Sequence, residues 1–285
     1  LQINWYPGHM AKAKREMEAN IGLIDCAVEL LDARAPLASR NPDLKQMLGN
    51  KPKITVLNKS DLADPDLTKA WLSYFADEGE RAVAFCASRS GGRKEVLGAI
   101  EGATAEIVER WRKRGAKKTL RVMVCGIPNV GKSSLINNLS GAGRTKTGSR
   151  PGVTRGKQWV RLTPYLELMD TPGVLWPKLT DLEGAKRLAY LNAINDDVIS
   201  YYELAVELSN LLYEQKPRQL AEKYGMPQGE DAEAILRAVA RTRGFLQKGQ
   251  DFDLEKAARV LMEEFRSGKL GRFTLETPPQ EEAPS

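Results

Sequence analysis

Residues 126–133 read Gly126-Ile127-Pro128-Asn129-Val130-Gly131-Lys132-Ser133, and this stretch decides how the rest of the chain is read. It is a complete G-x-x-x-x-G-K-S phosphate-binding loop. Asn58-Lys59-Ser60-Asp61, an N-K-x-D motif that reads guanine, lies upstream of it, and Asp170-Thr171-Pro172-Gly173 lies downstream. In the usual order of guanine-nucleotide domains the phosphate loop comes first and the guanine motif later. Here the order is guanine, phosphate, switch: every part is present, but the chain is cut and rejoined elsewhere.

The loop has the surroundings its chemistry needs. Arg121–Cys125 reads as a strand before it and Lys132–Leu139 as a helix after it. Gly126 and Gly131 let the backbone wrap phosphates without a Cβ in the way. The N–H groups of Asn129, Val130, Gly131, Lys132, Ser133 and Ser134, with the helix N-terminus, form an anion cradle. Lys132 is expected to reach the β- and γ-phosphates and Ser133 to ligate Mg²⁺. An incidental glycine-rich turn is the competing reading, and the strand–loop–helix context speaks against it.

The other motifs supply the rest of the site. Asp61 can accept from guanine N1–H and the exocyclic 2-amine; adenine has neither donor at those positions, so guanine is selected. The Lys59 stem can cover the base, and Asn58 can bridge base and phosphate loop. Cys86-Ala87-Ser88 is similar to the short Ser-Ala motif whose backbone N–H touches guanine O6, or is an ordinary strand end. Asp170 is expected to hold Mg²⁺ through water and the Gly173 N–H to meet the γ-phosphate. Thr154, in Pro151-Gly152-Val153-Thr154, is the expected switch hydroxyl that closes on Mg²⁺ only when the γ-phosphate is present. Thr145, Thr147 and Thr163 are rivals for that role.

Working outward, strands and helices alternate through the first two-thirds. Strands are expected at Cys26–Asp32, Lys53–Leu57, Arg81–Cys86, Arg121–Cys125, Trp159–Leu162 and Leu166–Met169. Helices are expected at Pro42–Leu48, Asp66–Asp77, Arg93–Arg112 and Lys132–Leu139. Such alternation predicts an α/β, doubly wound parallel sheet with ligands beyond the carboxyl ends of its strands. After Gly173 the pattern turns helical: Leu182–Leu191, Tyr201–Tyr213, Arg218–Tyr224, Ala232–Arg243 and Leu254–Arg266, punctuated by Pro217, Pro227 and Gly249. The expected organisation is a nucleotide domain over 1–175, a smaller all-helical domain over 176–276 and a disordered tail over 277–285.

Composition narrows the class. The 285 residues are 42% hydrophobic, enough for a sizeable α/β core and a smaller domain. There is no apolar run of about 18 residues, so no membrane span is expected, and the N-terminus has no signal-peptide core. Cys26, Cys86 and Cys125 fall in apolar runs and fit buried reduced thiols in a cytoplasmic protein. The net charge is +6, but residues 110–161 hold 14 Lys/Arg and no Asp or Glu, whereas residues 174–285 hold 15 basic and 19 acidic residues. The basic stretch either serves a nucleoside triphosphate alone or meets a large polyanion beside the nucleotide site, with RNA the expected one. In the helical part, Arg237/Arg241 and Lys256/Arg259/Arg266 recur at helical spacing and either grip phosphates or form a solvated face. Arg34 and Arg40 are RNA contacts or ion pairs.

The motif order, with Gly126-Ile127-Pro128-Asn129-Val130-Gly131-Lys132-Ser133 and Asp170-Thr171-Pro172-Gly173, resembles the circularly permuted GTPases. Trp5-Tyr6-Pro7-Gly8-His9-Met10, Asp32-Ala33-Arg34-Ala35-Pro36 and Gly268-Lys269-Leu270-Gly271-Arg272-Phe273 narrow the likeness to the ribosome biogenesis GTPase A (YlqF-type) family. The likeness covers residues 2–276, departing at Cys86, where other members often carry a small polar residue. It implies a cytoplasmic P-loop GTPase, bound to GTP or GDP and Mg²⁺, that binds the immature large ribosomal subunit and its rRNA. Neither membrane nor DNA is an expected partner, and a monomer is expected. A GTP-dependent module on another structured RNA is the alternative. A regulator without turnover is a third, against which Lys132, Ser133, Thr154 and Asp170 argue.

Many GTPases place a water-orienting Gln just after the switch glycine; here that position is Val174. His9, the one histidine, sits in a flexible-looking Pro-Gly-His-Met segment and either orients the water or serves structure or RNA contact. Asn129 resembles the Asn of potassium-stimulated GTPases that helps hold K⁺, or simply tolerates the backbone of the loop. Leu175-Trp176-Pro177 runs from the switch into the helical part, either as a lever or with Trp176 as a core anchor.

Overall fold

The computed structural model describes residues 8–87, 92–141, 158–175, 182–194, 200–226, 232–247 and 251–279, with the backbone alone for 8–13, 158 and 232–233. Its centre is a six-stranded sheet of order β3-β2-β1-β4-β6-β5. The strands are β1 (Cys26–Asp32), β2 (Lys53–Asn58), β3 (Arg81–Ala84), β4 (Leu120–Gly126), β5 (Gln158–Thr163) and β6 (Leu166–Asp170). The helices interleaved with them are α1 (Gly8–Ile21), α2 (Leu44–Leu48), α3 (Pro65–Asp77), α4 (Arg93–Lys113) and α5 (Lys132–Ser140). Then come α6 (Leu182–Tyr190), α7 (Tyr201–Gln215), α8 (Pro217–Tyr224), α9 (Ala232–Arg243) and α10 (Leu254–Arg266).

Strand β1 shows why the sheet is doubly wound. All seven of its residues are buried, as a strand covered on both faces must be. Cys26, Val28 and Leu30 join Val96 and Ile100 of α4 and Leu135 and Ile136 of α5. Ala27 turns the other way, toward Met17 of α1 and Leu44 and Leu48 of α2. Leu31 meets Trp71 and Phe75 of α3. Helix α3 starts where Asp64 accepts from the N–H groups of Asp66 and Leu67 and Pro65 fills the first helical position.

Three features differ from the sequence expectation. Strand β5 pairs antiparallel with β6, because only Pro164-Tyr165 separate them and so short a turn cannot make a parallel crossover. The segment after Pro7, read as flexible, enters helix α1 at Gly8. Strand β3 also stops at Ala84, leaving Phe85-Cys86-Ala87 as the segment beyond its end.

The helical part packs α7, α9 and α10 on one another. Ser200 caps α7 by accepting from Glu203 N–H, and Asp253 caps α10 by accepting from Lys256 N–H. Apolar residues of this part and of the sheet, from Leu30 and Ile127 to Leu188, Leu208 and Leu261, form one continuous core. The segment after α10 then returns to the first half of the chain. Phe273 N–H donates to Leu62 O (3.1 Å) and Leu275 N–H to Arg34 O (2.6 Å). The Glu276 carboxylate accepts from Leu37 N–H (2.7 Å) and Ala38 N–H (3.0 Å), and Trp71 Nε1 donates to Glu276 O (3.1 Å). Of the expected tail, 277–279 are described without regular structure and 280–285 lie outside the described residues. Among the described residues no helix is long and apolar enough to cross a membrane.

A candidate guanine-nucleotide site

The chain order β1, β2, β3 runs outward from the middle of the sheet, and β4 and β6 run the other way. The strand order therefore reverses between β1 and β4, where doubly wound sheets form their ligand crevice. The register brings the motif ends together there: Asp32 pairs with Asn58, Leu30 with Gly126 and Val124 with Asp170.

The phosphate loop is shaped by close approaches. A Cβ on Gly126 would strike Leu30 O, and one on Gly131 would strike Asn58 Nδ2. The first bond of α5 is Leu135 N–H to Gly131 O (2.9 Å), so Lys132, Ser133 and Ser134 form its first turn, whose N–H groups point out of the helix N-terminus. Val130 is fully buried and its carbonyl accepts from Asn58 Nδ2 at 2.7 Å. Lys132 is buried, with Nζ donating to Ile127 O (2.8 Å) and Gly126 O (3.2 Å). Burial pulls its pKa down to about 8, partly offset by Asp170.

Ser133 Oγ donates to Asp170 Oδ2 at 2.7 Å, so the two expected Mg²⁺ residues meet. Burial raises the Asp170 carboxyl, against the pull of Ser133 and Lys132. Asp170 Oδ1 is buried and accepts no hydrogen bond among the described residues. An oxygen pair of this kind suits a hard divalent cation. Beyond it, Thr171 Oγ1 donates to Val124 O (2.8 Å). A Cβ on Gly173 would lie 2.6 Å from Pro128, so the switch glycine is pressed against the phosphate loop. Val174 is buried and donates its N–H to Gly126 O (3.2 Å).

The guanine half is tied by polar side chains. Asn58 spans two loops: its Nδ2 holds Val130 O and its Oδ1 accepts from Ala87 N–H at 3.3 Å. Asn138 of α5 donates to Ala87 O (3.4 Å), and Ser60 Oγ donates to Phe85 O (3.0 Å). Cys86 and Ala87 are thus held beside the guanine motif, while Ser88 lies outside the described residues. Lys59 adopts a left-handed backbone, φ +58°, and Leu62 N–H closes the turn on Lys59 O (2.9 Å), which places the half-buried Asp61 inside it.

Sequence reasoning missed the residue beneath this motif. Asp32 is fully buried at the end of β1, 3.0 Å from Lys59 Nζ and 2.9 Å from Arg34 Nη2. Burial alone would raise its carboxyl, but the Arg34 and Lys59 charges overcome that and hold it well below the usual carboxylate range. An acid ending a largely apolar, fully buried strand was the available signal. Arg34, left open as RNA contact or ion pair, is a buried ion-pair residue, and Arg40 pairs with Glu80 and Glu29.

Other expected residues fall elsewhere. Asn129 has φ +58° and donates Nδ2 to Asn192 O (2.6 Å), just past α6. Arg266 caps α6, donating to Ala189 O (2.8 Å) and Tyr190 O (3.1 Å). Lys256 lies over Phe245, Arg259 over Tyr201, and Arg241 donates to Gly225 O. His9 sits in the first turn of α1 with no side chain described. Thr145, Thr147, Thr154 and Trp176 lie outside the described residues. Part of the basic stretch needs relocation. Helix α4 has 21 residues, about 30 Å, and its end delivers Arg110, Arg112, Lys113, Arg114, Lys117 and Lys118 to the amino edge of the sheet. There Lys118 pairs with Asp25 just before β1. These charges face away from the nucleotide site, not beside it.

Comparison with known proteins agrees with this geometry. Residues 121–224 match a family model described as 50S ribosome-binding GTPase. The chain is 41% identical to ribosome biogenesis GTPase A of Priestia megaterium, covering 100% of both, and 40% identical to that of Bacillus cereus, covering 98% of this chain and 95% of the relative. The chain belongs to the ribosome biogenesis GTPase A family. Its fold is that of the YlqF structure from T. maritima in its GNP-bound form, with TM-score 0.67, 28% identity and coverage of 94% of this chain and 99% of that one. As a member of the ribosome biogenesis GTPase A family the chain is a circularly permuted GTPase, and a GDP-bound structure of the same T. maritima protein also matches.

Proposed function

We propose that this chain is a GTP-hydrolysing switch that binds the immature 50S subunit and its rRNA, promotes a late assembly step and hydrolyses GTP faster when the subunit is bound. The observation that carries this reading is the meeting of the guanine, phosphate and switch motifs at one strand-order reversal, in a chain related over its full length to ribosome assembly GTPases.

Each residue has a role in that reading. Asp61 reads the guanine edge, with Lys59 under the base and Asn58, Ser60, Cys86, Ala87 and Ser88 shaping its seat. The backbone of Asn129, Val130, Gly131, Lys132, Ser133 and Ser134 holds the phosphates, and Lys132 neutralises charge that develops on them. Ser133, Asp170 and Thr154 would hold Mg²⁺, which when bound screens the β- and γ-phosphate charge. Gly173 senses the γ-phosphate through its N–H. Buried Val174 offers no group to orient water, which leaves that task to His9, brought in when the subunit pins α1. Asn129 Oδ1 stays available for K⁺ while its Nδ2 is held by Asn192.

GTP hydrolysis measured with and without large subunits, in K⁺ and in Na⁺, tests the proposal. Strong stimulation by subunits, greater in K⁺, is expected. No stimulation in either salt would move the function to another structured RNA. Full subunit-stimulated hydrolysis by His9→Ala would remove His9 from the chemistry.

A further inference from the structure

The two halves of the nucleotide site are joined a second time, through the helical part. From the phosphate loop, Asn129 Nδ2 donates to Asn192 O. Asn192, itself at φ +61°, closes the last turn of α6 by donating to Ala189 O (3.0 Å). Arg266, the final residue of α10, donates to Ala189 O and Tyr190 O of that turn. The carbonyls of Phe265 and Arg266, at the end of α10, accept from Arg34 Nη1 at 3.4 Å each. Arg34 Nε and Nη2 each donate to Asp32 at 2.9 Å, and Asp32 holds Lys59 of the guanine motif at 3.0 Å.

We infer that Arg34 is a positioning residue that fixes Lys59 through Asp32 and transmits guanine occupancy to the C-terminal end of α10. The inference rests on reading Lys59 as part of the guanine seat, and does not depend on the ribosomal partner. The chemistry requires an arginine. Its planar fork makes two parallel bonds to one carboxylate and still has donors to spare, whereas a lysine is a point charge with one nitrogen. The helix C-terminus carries partial negative charge, so one buried cation compensates both Asp32 and the helix end. Arg34 is 1% exposed and its guanidinium lies 5.2 Å from the Phe265 ring, so it has no room to serve the two partners in turn. A base resting on the Lys59 stem restricts Nζ, and with it Asp32, Arg34 and the carbonyls they hold.

The test compares the full chain, Arg34→Lys and Arg266→Lys in the free state, with GDP and with a non-hydrolysable GTP analogue. Nucleotide affinity, kcat at saturating GTP and amide hydrogen exchange are read for each. In the wild-type chain nucleotide should slow exchange at Ser267, Gly268 and Lys269, whose N–H groups close the end of α10. Arg34→Lys should bind GDP about tenfold more weakly with kcat within about twofold, and should lose the nucleotide effect at those amides even at saturation. Arg266→Lys should keep GDP affinity within about twofold and keep that effect, which general loosening of α10 would not. Exchange at 267–269 that ignores nucleotide in the wild-type chain overturns the coupling whether or not either variant folds. Unchanged affinity in Arg34→Lys, or a retained exchange effect, overturns the role of Arg34. A chain that binds no guanine nucleotide overturns the site reading and this inference together.

Discussion

The phosphate half and the guanine half of the site occupy neighbouring strand ends but are held by different physics. The phosphate half is a steric fit: Gly126, Gly131 and Gly173 lie so close to Leu30, Asn58 and Pro128 that no Cβ has room. The guanine half is a polar lattice, with Asn58 spanning two loops and Lys59 held by a buried carboxylate. A steric fit fails at the first added carbon. A polar lattice fails by degrees, with each bond removed or each charge titrated.

The comparison is easiest to break at Gly173. Gly173→Ala would put a methyl group 2.6 Å from the Pro128 backbone, so single-turnover GTP hydrolysis should fall about 100-fold. Hydrolysis near the wild-type rate would mean that the fit is looser than the contacts imply. Next in size is Asn58→Ala, which strands the buried Val130 carbonyl. Leaving such a group unpaired costs about 1–3 kcal/mol, so calorimetry should find GDP and GTP both bound roughly 10- to 100-fold more weakly. Loss for one nucleotide alone would refute a lattice shared by both.

A third test sharpens the contrast by titrating the buried lysine inside the steric half. The Lys132 pKa lies near 8 in the free protein because it is buried, and phosphates beside it would raise that value. Binding then takes up a proton above pH 8, so GTP affinity should fall by up to about tenfold per pH unit as pH climbs past 8. Calorimetry at pH 8.5 in buffers of different ionisation enthalpy reads that proton directly. In the free protein the same depression makes stability rise as pH goes from about 8 toward the ordinary lysine value of 10.5. The smallest effect expected is from Thr171→Val, which removes one buried bond to Val124 O. Urea denaturation should show a loss of about 1 kcal/mol, with little change in hydrolysis rate at saturating GTP.

The steric half was legible in the sequence because glycine spacing is itself the signal, and the apolar runs CAVELLD, KITVL and RVMVC located the strands carrying it. The polar half was legible only as far as its motif. Asp32 pairs with neighbours in the sheet, and Arg34 reaches Phe265 across a separation of 231 residues, which no local pattern encodes. Helix α1 was missed because GHMAKAKREMEANI offers few apolar positions, so its helical period is faint; among its described side chains Met17 and Ile21 contribute to the core beneath it. The antiparallel β5 follows from a two-residue turn, a matter of connection length that strand propensity does not report.

The strap over residues 273–276 also sets an order of events during synthesis. The guanine motif at the end of β2 emerges first, yet the neighbouring strand β1 gains a partner on its other side only when β4 appears. The carboxylate that accepts from Leu37 and Ala38 arrives 239 and 238 residues after its donors. Contacts of that sequence separation form late, because closing so long a loop comes before any reward from its contacts. A growing chain therefore displays every nucleotide motif before it can make this last connection, and the stitch from Glu276 to the segment after the first strand marks the point at which the switch becomes a finished object.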